Sequence, residues 1–216
     1  MREPRNVLTA LLIAALALAP AAASAATIGA EVFGAYNTYA MDDVNDAIDA
    51  DNDAGADFDE FGSGPTGGLG LRLWPNASWM LSAAWEPLFL ETESDATEST
   101  WNMDANSFQF TAGYFFPSTT GARYGLGAGV GYYSVAGENT DPALIPETIE
   151  IEGSGVGFHV LGMGEWRMSP GFSVTAGAGY RFADIEIDES TTDATADYSG
   201  FMGRLGLAFY LPSGGY

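Results

Sequence analysis

The sequence predicts an all-β protein: an antiparallel, up-and-down, eight-stranded transmembrane β-barrel that follows a cleaved signal peptide. Three observations support this prediction. The stretch 122–134 alternates between a face of aliphatic and aromatic residues and a face of glycine and arginine, which is the period-two pattern of a strand. The N-terminus has the features of an export signal. Short proline turns and long acidic segments alternate along the chain, as turns and loops do in membrane barrels.

The predicted signal peptide occupies residues 1–25. Two arginines precede an apolar stretch, and Ala23, Ser24 and Ala25 supply the small residues that a signal peptidase requires. The apolar stretch is too short to span a bilayer, so we expect cleavage and a barrel domain over 26–216. No other segment approaches the roughly 18 apolar residues of a transmembrane helix. Cysteine is absent, which excludes disulfides and thiolate metal sites.

The mature chain is strongly acidic. Without the predicted signal peptide it has five arginines, no lysine and 28 aspartate and glutamate residues. Such an excess of negative charge excludes a nucleic-acid partner by repulsion. Most of the acidic residues fall in four blocks that are also rich in Asn, Thr, Ser and Gly, a composition that predicts solvated loops. These blocks are residues 41–60, 91–98, 138–152 and 184–197.

Strand-like segments between the acidic blocks are joined in pairs by short turns. The turns contain Pro75, Pro117 and Pro170, and proline cannot donate to a central ladder. Long and short connections therefore alternate, which predicts an even number of strands with both chain ends on the short-turn side. The predicted strands are 27–40, 65–74, 79–91, 103–116, 122–136, 151–167, 172–187 and 198–211.

One side of these strands is apolar and is predicted to face lipid. Aromatic residues fall near the strand ends, with Trp79 and Phe116 near the short turns and Trp85 and Phe182 near the acidic blocks. Two such girdles are typical of transmembrane barrels. The alternative is a soluble β-sandwich that buries the same face. A sandwich needs no export signal, and it places large aromatics in mid-strand as often as at strand ends.

The other side carries the charged residues. An arginine facing lipid near the midplane costs about 2–4 kcal/mol, and buried charges need partners. We therefore expect a network of Arg–Glu pairs that fills the lumen, with Arg181 and Arg204 paired to Glu31 or Glu86. The predicted network contains Glu31, Arg72, Glu86, Arg123, His159, Glu165, Arg167, Arg181 and Arg204. We favour a polar plug over a gated ion path, although the glycines of two strands leave both interpretations open.

The first acidic block contains carboxylates spaced as in a calcium-binding loop. Asp49, Asp51, Asp53, Asp57 and Glu60 match the ligand spacing of that motif. The residue at the sharp turn is alanine instead of glycine, so a solvated acidic loop is the favoured interpretation and a Ca²⁺ site the alternative. No other cofactor is expected. Just before this motif, the apolar spacing within 41–50 predicts a short helix at the barrel mouth.

The C-terminal stretch 204–211 resembles the insertion signal of outer-membrane barrels, with Gly206, Phe209 and Leu211 at its glycine, aromatic and terminal hydrophobic positions. The whole mature chain resembles the small eight-stranded outer-membrane proteins of Gram-negative bacteria, the OmpA-barrel, OmpX and OmpW type. The resemblance implies location in the cell outer membrane, among its lipids and lipopolysaccharide. It also implies export through the periplasm with chaperones and insertion by the barrel-insertion machinery. We expect a monomer.

Three functions are compatible with such a barrel. An enzyme is the least favoured, because a single histidine permits neither a His-rich metal set nor a Ser-His-Asp spacing. Lipid A deacylases place a serine two residues after an outward-facing histidine, whereas His159 is followed by Val160 and Leu161 and lies on the interior side. A narrow channel for small solutes or ions is the second. We expect a structural and surface-interaction role through long acidic extracellular loops.

Overall fold

A computed structural model describes residues 26–119, 121–140, 148–187 and 195–211. The predicted signal peptide at 1–25 lies outside the described residues. The described elements, in chain order, are β1 (Thr27–Thr38), α1 (Asp42–Asp53), β2 (Ser63–Trp74), β3 (Trp79–Ser94), β4 (Ser99–Phe115), β5 (Ala122–Thr140), β6 (Thr148–Ser169), β7 (Phe172–Phe182), β8 (Asp184–Glu186), β9 (Thr195–Asp197) and β10 (Gly200–Tyr210). No helix among them is long and apolar enough to cross a membrane.

Eight of these strands form a closed antiparallel barrel. The order around it is β1, β2, β3, β4, β5, β6, β7 and β10, and β10 pairs with β1 through Phe33 opposite Gly206. Closure removes the open edges of the sheet, which a protein in lipid requires because hydrocarbon offers no hydrogen-bond partners. The predicted up-and-down barrel of eight strands is therefore confirmed.

The predicted alternation between lipid and lumen is visible in side-chain exposure. In β1, Ile28, Val32 and Tyr36 are exposed, whereas Phe33 and Asn37 are buried. The other barrel strands also present large exposed apolar residues on one side and buried residues on the other. The period of two thus separates a lipid-facing surface from a lumen on each strand.

Aromatic pairs mark both rims of the lipid-facing surface. At the short-turn end, the rings of Trp79 and Tyr114 lie 5.4 Å apart in an edge-to-face arrangement. At the opposite end, Tyr180 and Phe201 form a similar pair at 5.2 Å. These two girdles match the interfacial belts that the sequence predicts.

Four strands are longer than predicted. β3, β4, β5 and β6 contain 16, 17, 19 and 22 residues, whereas about 9–11 residues span a membrane. Their upper halves enter the acidic blocks 91–98 and 138–152, so the assignment of these blocks to solvated loops is wrong in part. The strands continue because Leu90, Met103 and Val135 are buried inside the barrel. Their burial stabilises the alternating strands even where the outer side is polar.

The final pair of predicted strands is interrupted. β7 ends at Phe182, and β8 then pairs with β9 in a separate two-stranded sheet. An isolated bridge between Gly153 and Ile187 holds this sheet against β6. β10 begins only at Gly200, where a Cβ would collide with the carbonyl oxygen of Thr38, so glycine is required where this strand starts against β1.

The predicted helix is confirmed as α1, which begins at Asp42 and ends at Asp53. Aspartates suit its first turn but oppose the helix dipole in its last turn. A short helix of this composition is not stable by itself in water. α1 is instead held by the burial of Val44 and Ile48.

Candidate functional site

The lower ion cluster lies in the lumen near the short turns. Arg72 bridges two carboxylates, with Nη1 3.4 Å from Glu31 Oε1 and Nη2 3.5 Å from Glu165 Oε2. Arg123 donates to the other oxygen of Glu165 at 2.8 Å, and the Thr175 hydroxyl donates to Glu31 at 2.6 Å. Two arginines and two glutamates make the lower ion cluster neutral, as buried charges require.

The upper ion cluster is built around Glu86, which is fully buried. Its Oε1 accepts hydrogen bonds from Asn37 at 2.9 Å and Thr66 at 2.7 Å. Its Oε2 accepts from Gln109 at 3.0 Å and Arg204 at 2.8 Å. Because a carboxylate offers about four lone-pair sites, Glu86 is saturated and has no capacity for a further donor.

Arg181 departs from its predicted role. It is fully buried, yet no carboxylate among the described residues lies within ion-pair distance of it. Its Nε donates to the carbonyl oxygen of Tyr198 at 2.9 Å, and its guanidinium lies 5.6 Å and 5.8 Å from the ring centres of Tyr39 and Tyr133. The predicted pairing of Arg181 with a carboxylate is wrong because the four other donors occupy Glu86, and aromatic rings take the place of a counter-ion.

Two other predicted network residues lie at contrasting positions. His159 is buried and its Nε2 is 2.8 Å from the Thr111 hydroxyl. Arg167 is exposed at the short-turn end, so its assignment to the buried network is wrong. It stands at the end of β6, where the register with β7 shifts between Arg167 and Ser169, and the strand there projects beyond the packed part of the lumen.

A hydrophobic cluster, which we call the outer plug, closes the barrel above the upper ion cluster. It joins the buried face of α1 and the segment 56–61 to the interior faces of the upper halves of β3, β4 and β5 and to the sheet of β8 and β9. Its buried members are Tyr39, Met41, Val44, Ile48, Phe58, Phe61, Leu88, Leu90, Trp101, Met103, Ala105, Tyr133, Val135, Ala183, Ile185, Ala196 and Tyr198. The outer plug was not predicted from the sequence, although the interior side of β3 changes from Glu86 to the apolar Leu88 and Leu90.

Polar contacts fix α1 on the outer plug. The Asp43 carboxylate accepts hydrogen bonds from the backbone N–H and the hydroxyl of Thr195, at 3.1 Å and 2.9 Å. The Asp51 carboxylate accepts from Trp101 Nε1 at 3.2 Å. Each contact joins the helix to a different part of the barrel mouth, so α1 is held on two sides as well as from below.

The carboxylates of the calcium-like motif are not gathered into a ligand set. Asp49, Asp51 and Asp53 lie on α1, where residues two positions apart do not face one another. Asp57 accepts hydrogen bonds from the Ser94 hydroxyl at 2.7 Å and from the Ala96 N–H at 3.3 Å. These two bonds hold the pKa of Asp57 below its usual range. Within the described ranges, no group of three or more acidic or histidine side chains could hold a metal ion.

Comparison with known proteins identifies the family. The model of the outer membrane protein beta-barrel domain matches residues 8–209. The chain belongs to this family. The match covers more than half of the chain, and it confirms both the predicted resemblance and the predicted location in the outer membrane. Among curated proteins, no sequence matches this chain significantly.

Solved outer-membrane structures share the fold at low sequence identity. A major outer membrane protein from Thermus thermophilus has a TM-score of 0.57 and 13% identity, covering 87% of this chain and 100% of that one. OprG from Pseudomonas aeruginosa has a TM-score of 0.55 and 8% identity, with 87% and 96% covered. Neisserial surface protein A has a TM-score of 0.53 and 11% identity, covering 86% of this chain and 98% of that one. These similarities establish the barrel fold and nothing finer.

Proposed function

We propose that this protein is a structural barrel of the outer membrane that interacts with its surroundings through an acidic outer surface and does not conduct solutes. The outer plug is the observation that carries the proposal. Its centre excludes water, because Met41, Ile48, Leu88 and Met103 are fully buried. An aqueous pathway would have to displace this cluster as well as the two ion clusters beneath it.

The α1 end is proposed to face the cell exterior and the short turns the periplasm, as in other outer-membrane barrels. The distribution of charge supports this orientation. Within the described residues, the exposed acidic side chains lie towards the α1 end, and Glu31 and Glu165 are enclosed in the lower ion cluster. An acidic end is also compatible with the leaflet in which lipopolysaccharide is held together by divalent cations.

The acidic outer surface needs cations to contact any anionic neighbour. α1 exposes Asp46, Asp49 and Asp53, and the outer faces of the long strands add Glu91 and Glu138. No lysine exists in the chain, so direct pairing of lysine with lipopolysaccharide phosphates is impossible. We propose that divalent cations bridge these carboxylates to lipopolysaccharide, or that a cationic partner binds them. The ions would be held diffusely, since the calcium-like motif provides no ligand set.

The other expected partners belong to biogenesis. Family membership supports escort by periplasmic chaperones and insertion by the barrel-insertion machinery. Gly206, Phe209 and Leu211 are proposed to form the insertion signal. The proposed end state is a monomer, which closure of the barrel without a second copy supports.

A narrow solute or ion channel is the second candidate. One observation favours it: a Cβ at Gly177 would have only the carbonyl oxygen of Gly162 within 4 Å, at 3.8 Å, so the lumen is not tightly packed at this point. An enzyme finds no such support, because His159 and its partner Thr111 are both buried in the lumen, where a substrate would not reach them.

The test compares the native protein with the triple variant D46N/D49N/D53N in vesicles. For each protein, the association of the protein-containing vesicles with lipopolysaccharide vesicles is measured by sedimentation at increasing Mg²⁺ concentration. We expect the native protein to associate only with Mg²⁺ present and the variant to need more of it. The double variant A47N/A50N is the matched control, because it changes two exposed residues of the same helix and leaves every charge in place. Equal Mg²⁺ dependence for the native protein and the triple variant would refute the proposed surface role.

A further inference from the structure

A cavity of about 650 Å³ opens at the short-turn end of the barrel. We call it the inner vestibule. Its lining residues come from the ends of four strands and from two short turns: Thr27, Trp74, Pro75, Asn76, Ala77, Ser78, Phe116, Pro117, Ser118, Gly121, Arg123 and Arg167. The turn at Pro75 is ordered by the Asn76 side chain, which accepts hydrogen bonds from two following backbone N–H groups at 3.0 Å. This part of the cavity lining is therefore held in one conformation.

The inner vestibule is electropositive in a chain that is otherwise strongly negative. Arg123 is compensated, because it donates to Glu165 at 2.8 Å and its guanidinium stacks 3.4 Å from the ring centre of Trp74. Arg167 is exposed and has no carboxylate within ion-pair distance in the described part of the chain. None of the described residues that line the cavity is acidic. One positive charge is therefore left without a counter-charge beside an aromatic wall.

The depth of the inner vestibule matches that of lipid head groups. Trp79 and Phe116 are exposed on the outer side of the same rim and belong to the girdle that lies at the membrane interface. Phe116 also lines the cavity, so the cavity is adjacent to the lipid. The anion that is abundant at this depth is the phosphate of a phospholipid.

We infer that the inner vestibule binds the head group of an anionic phospholipid from the adjacent leaflet. Arg167 pairs with the phosphate as a charge-assisted contact, and the apolar walls at Phe116 and Pro117 contact the glycerol and the first methylenes. The leaflet is the periplasmic one in the proposed orientation. The site itself rests only on the geometry of the short-turn end.

Native mass spectrometry of the folded protein with bound lipid tests this inference in detergent, independently of orientation. Phosphatidylglycerol should be retained about fivefold more than phosphatidylcholine, the preference expected for one arginine near the surface. R167Q should abolish the preference. T27F, which fills the inner vestibule and keeps the charge, should abolish it too. Folding of each variant is checked by its heat-dependent mobility on gels.

Two further arms exclude simpler explanations. The variant R167Q/M168R keeps a cation at the same depth but moves it to an exposed side chain outside the inner vestibule. If this variant recovers the full preference, any interfacial cation suffices and the site is refuted. Displacement of phosphatidylglycerol by millimolar inorganic phosphate would assign the cavity to free phosphate and refute the lipid assignment. If whole-cell proteolysis showed the reverse orientation, the proposed function would fail while this binding result would stand.

Discussion

The ion pair of Arg204 and Glu86 provides the sharpest test of the lumen architecture. Arg204 Nη2 lies 2.8 Å from Glu86 Oε2 and also donates to Gln109. Replacing Arg204 by methionine keeps most of the side-chain volume but leaves the buried carboxylate without its cation. Loss of one partner of a buried pair costs about 3–5 kcal/mol. We expect the lower end, about 3 kcal/mol, because Asn37 and Thr66 still donate to Glu86.

The double variant R204M/E86Q should be more stable than R204M. A glutamine at position 86 can still accept from Asn37 and Thr66 through its oxygen, and its amide can donate to Gln109 once that side chain turns its own oxygen towards it. No buried charge then remains, so we expect the double variant to recover about half of the loss. The measurement is urea-induced unfolding in phosphatidylcholine vesicles, which lack the anionic head group proposed to bind Arg167, and it is followed by tryptophan fluorescence.

The matched control for this cycle is R167M. Arg167 is exposed and outside both ion clusters, so its replacement should change the free energy of unfolding by less than about 0.5 kcal/mol. Additive losses for R204M and E86Q would show that the two side chains are not coupled. That result would contradict the described lumen.

Three further predictions concern the outer plug and the segment 56–61. Ile48→Ala should weaken the docking of α1 by about 2 kcal/mol, the lower end of the cost of such a cavity. Proteolysis of α1 should increase while the heat-dependent gel mobility of the barrel stays the same; unchanged proteolysis would contradict the docking. Because the pKa of Asp57 is lowered, its stabilising contribution is complete above the unfolded value of about 3.9 and is lost as the pH falls through the folded value. The protection factors of the amides in 56–61, which correct for the intrinsic pH dependence of exchange, should therefore fall in acid, and Asp57→Asn should remove this fall. The same fall in the variant would count against it. Calcium and magnesium should protect the outer segments equally, because the charges are screened diffusely, and a calcium effect lost in Asp51→Asn would show a specific site instead.

Much of the fold is predictable because lipid imposes a simple rule on each strand. A charge cannot face hydrocarbon cheaply, so the positions of Arg72, Arg123 and Arg204 determine which side of their strands is inside. Closure then follows from the alternation of short and long connections. The interior position of Glu86 follows from the same rule and needs no knowledge of its partners.

The parts that could not be predicted depend on contacts across the lumen. Arg181 lies on the interior side, yet nothing in the sequence shows that four other donors saturate Glu86. The outer plug was missed because composition favours loops wherever aspartate and threonine are frequent, whereas Leu90 and Met103 continue the buried side of their strands. The placement of the carboxylates of the calcium-like motif could not be predicted either, because burial of Ile48 stabilises a helix across residues that a binding loop would wrap around an ion.

The outer plug and the two ion clusters are proposed to close the barrel together. Single-channel recording on refolded protein of residues 26–216 in a planar lipid bilayer tests this closure. The native protein should insert, as shown by its heat-dependent gel mobility in the same lipid, and should give no conductance steps above the membrane baseline. Stable, reproducible conductance steps from folded native protein would contradict the claim and would favour the channel.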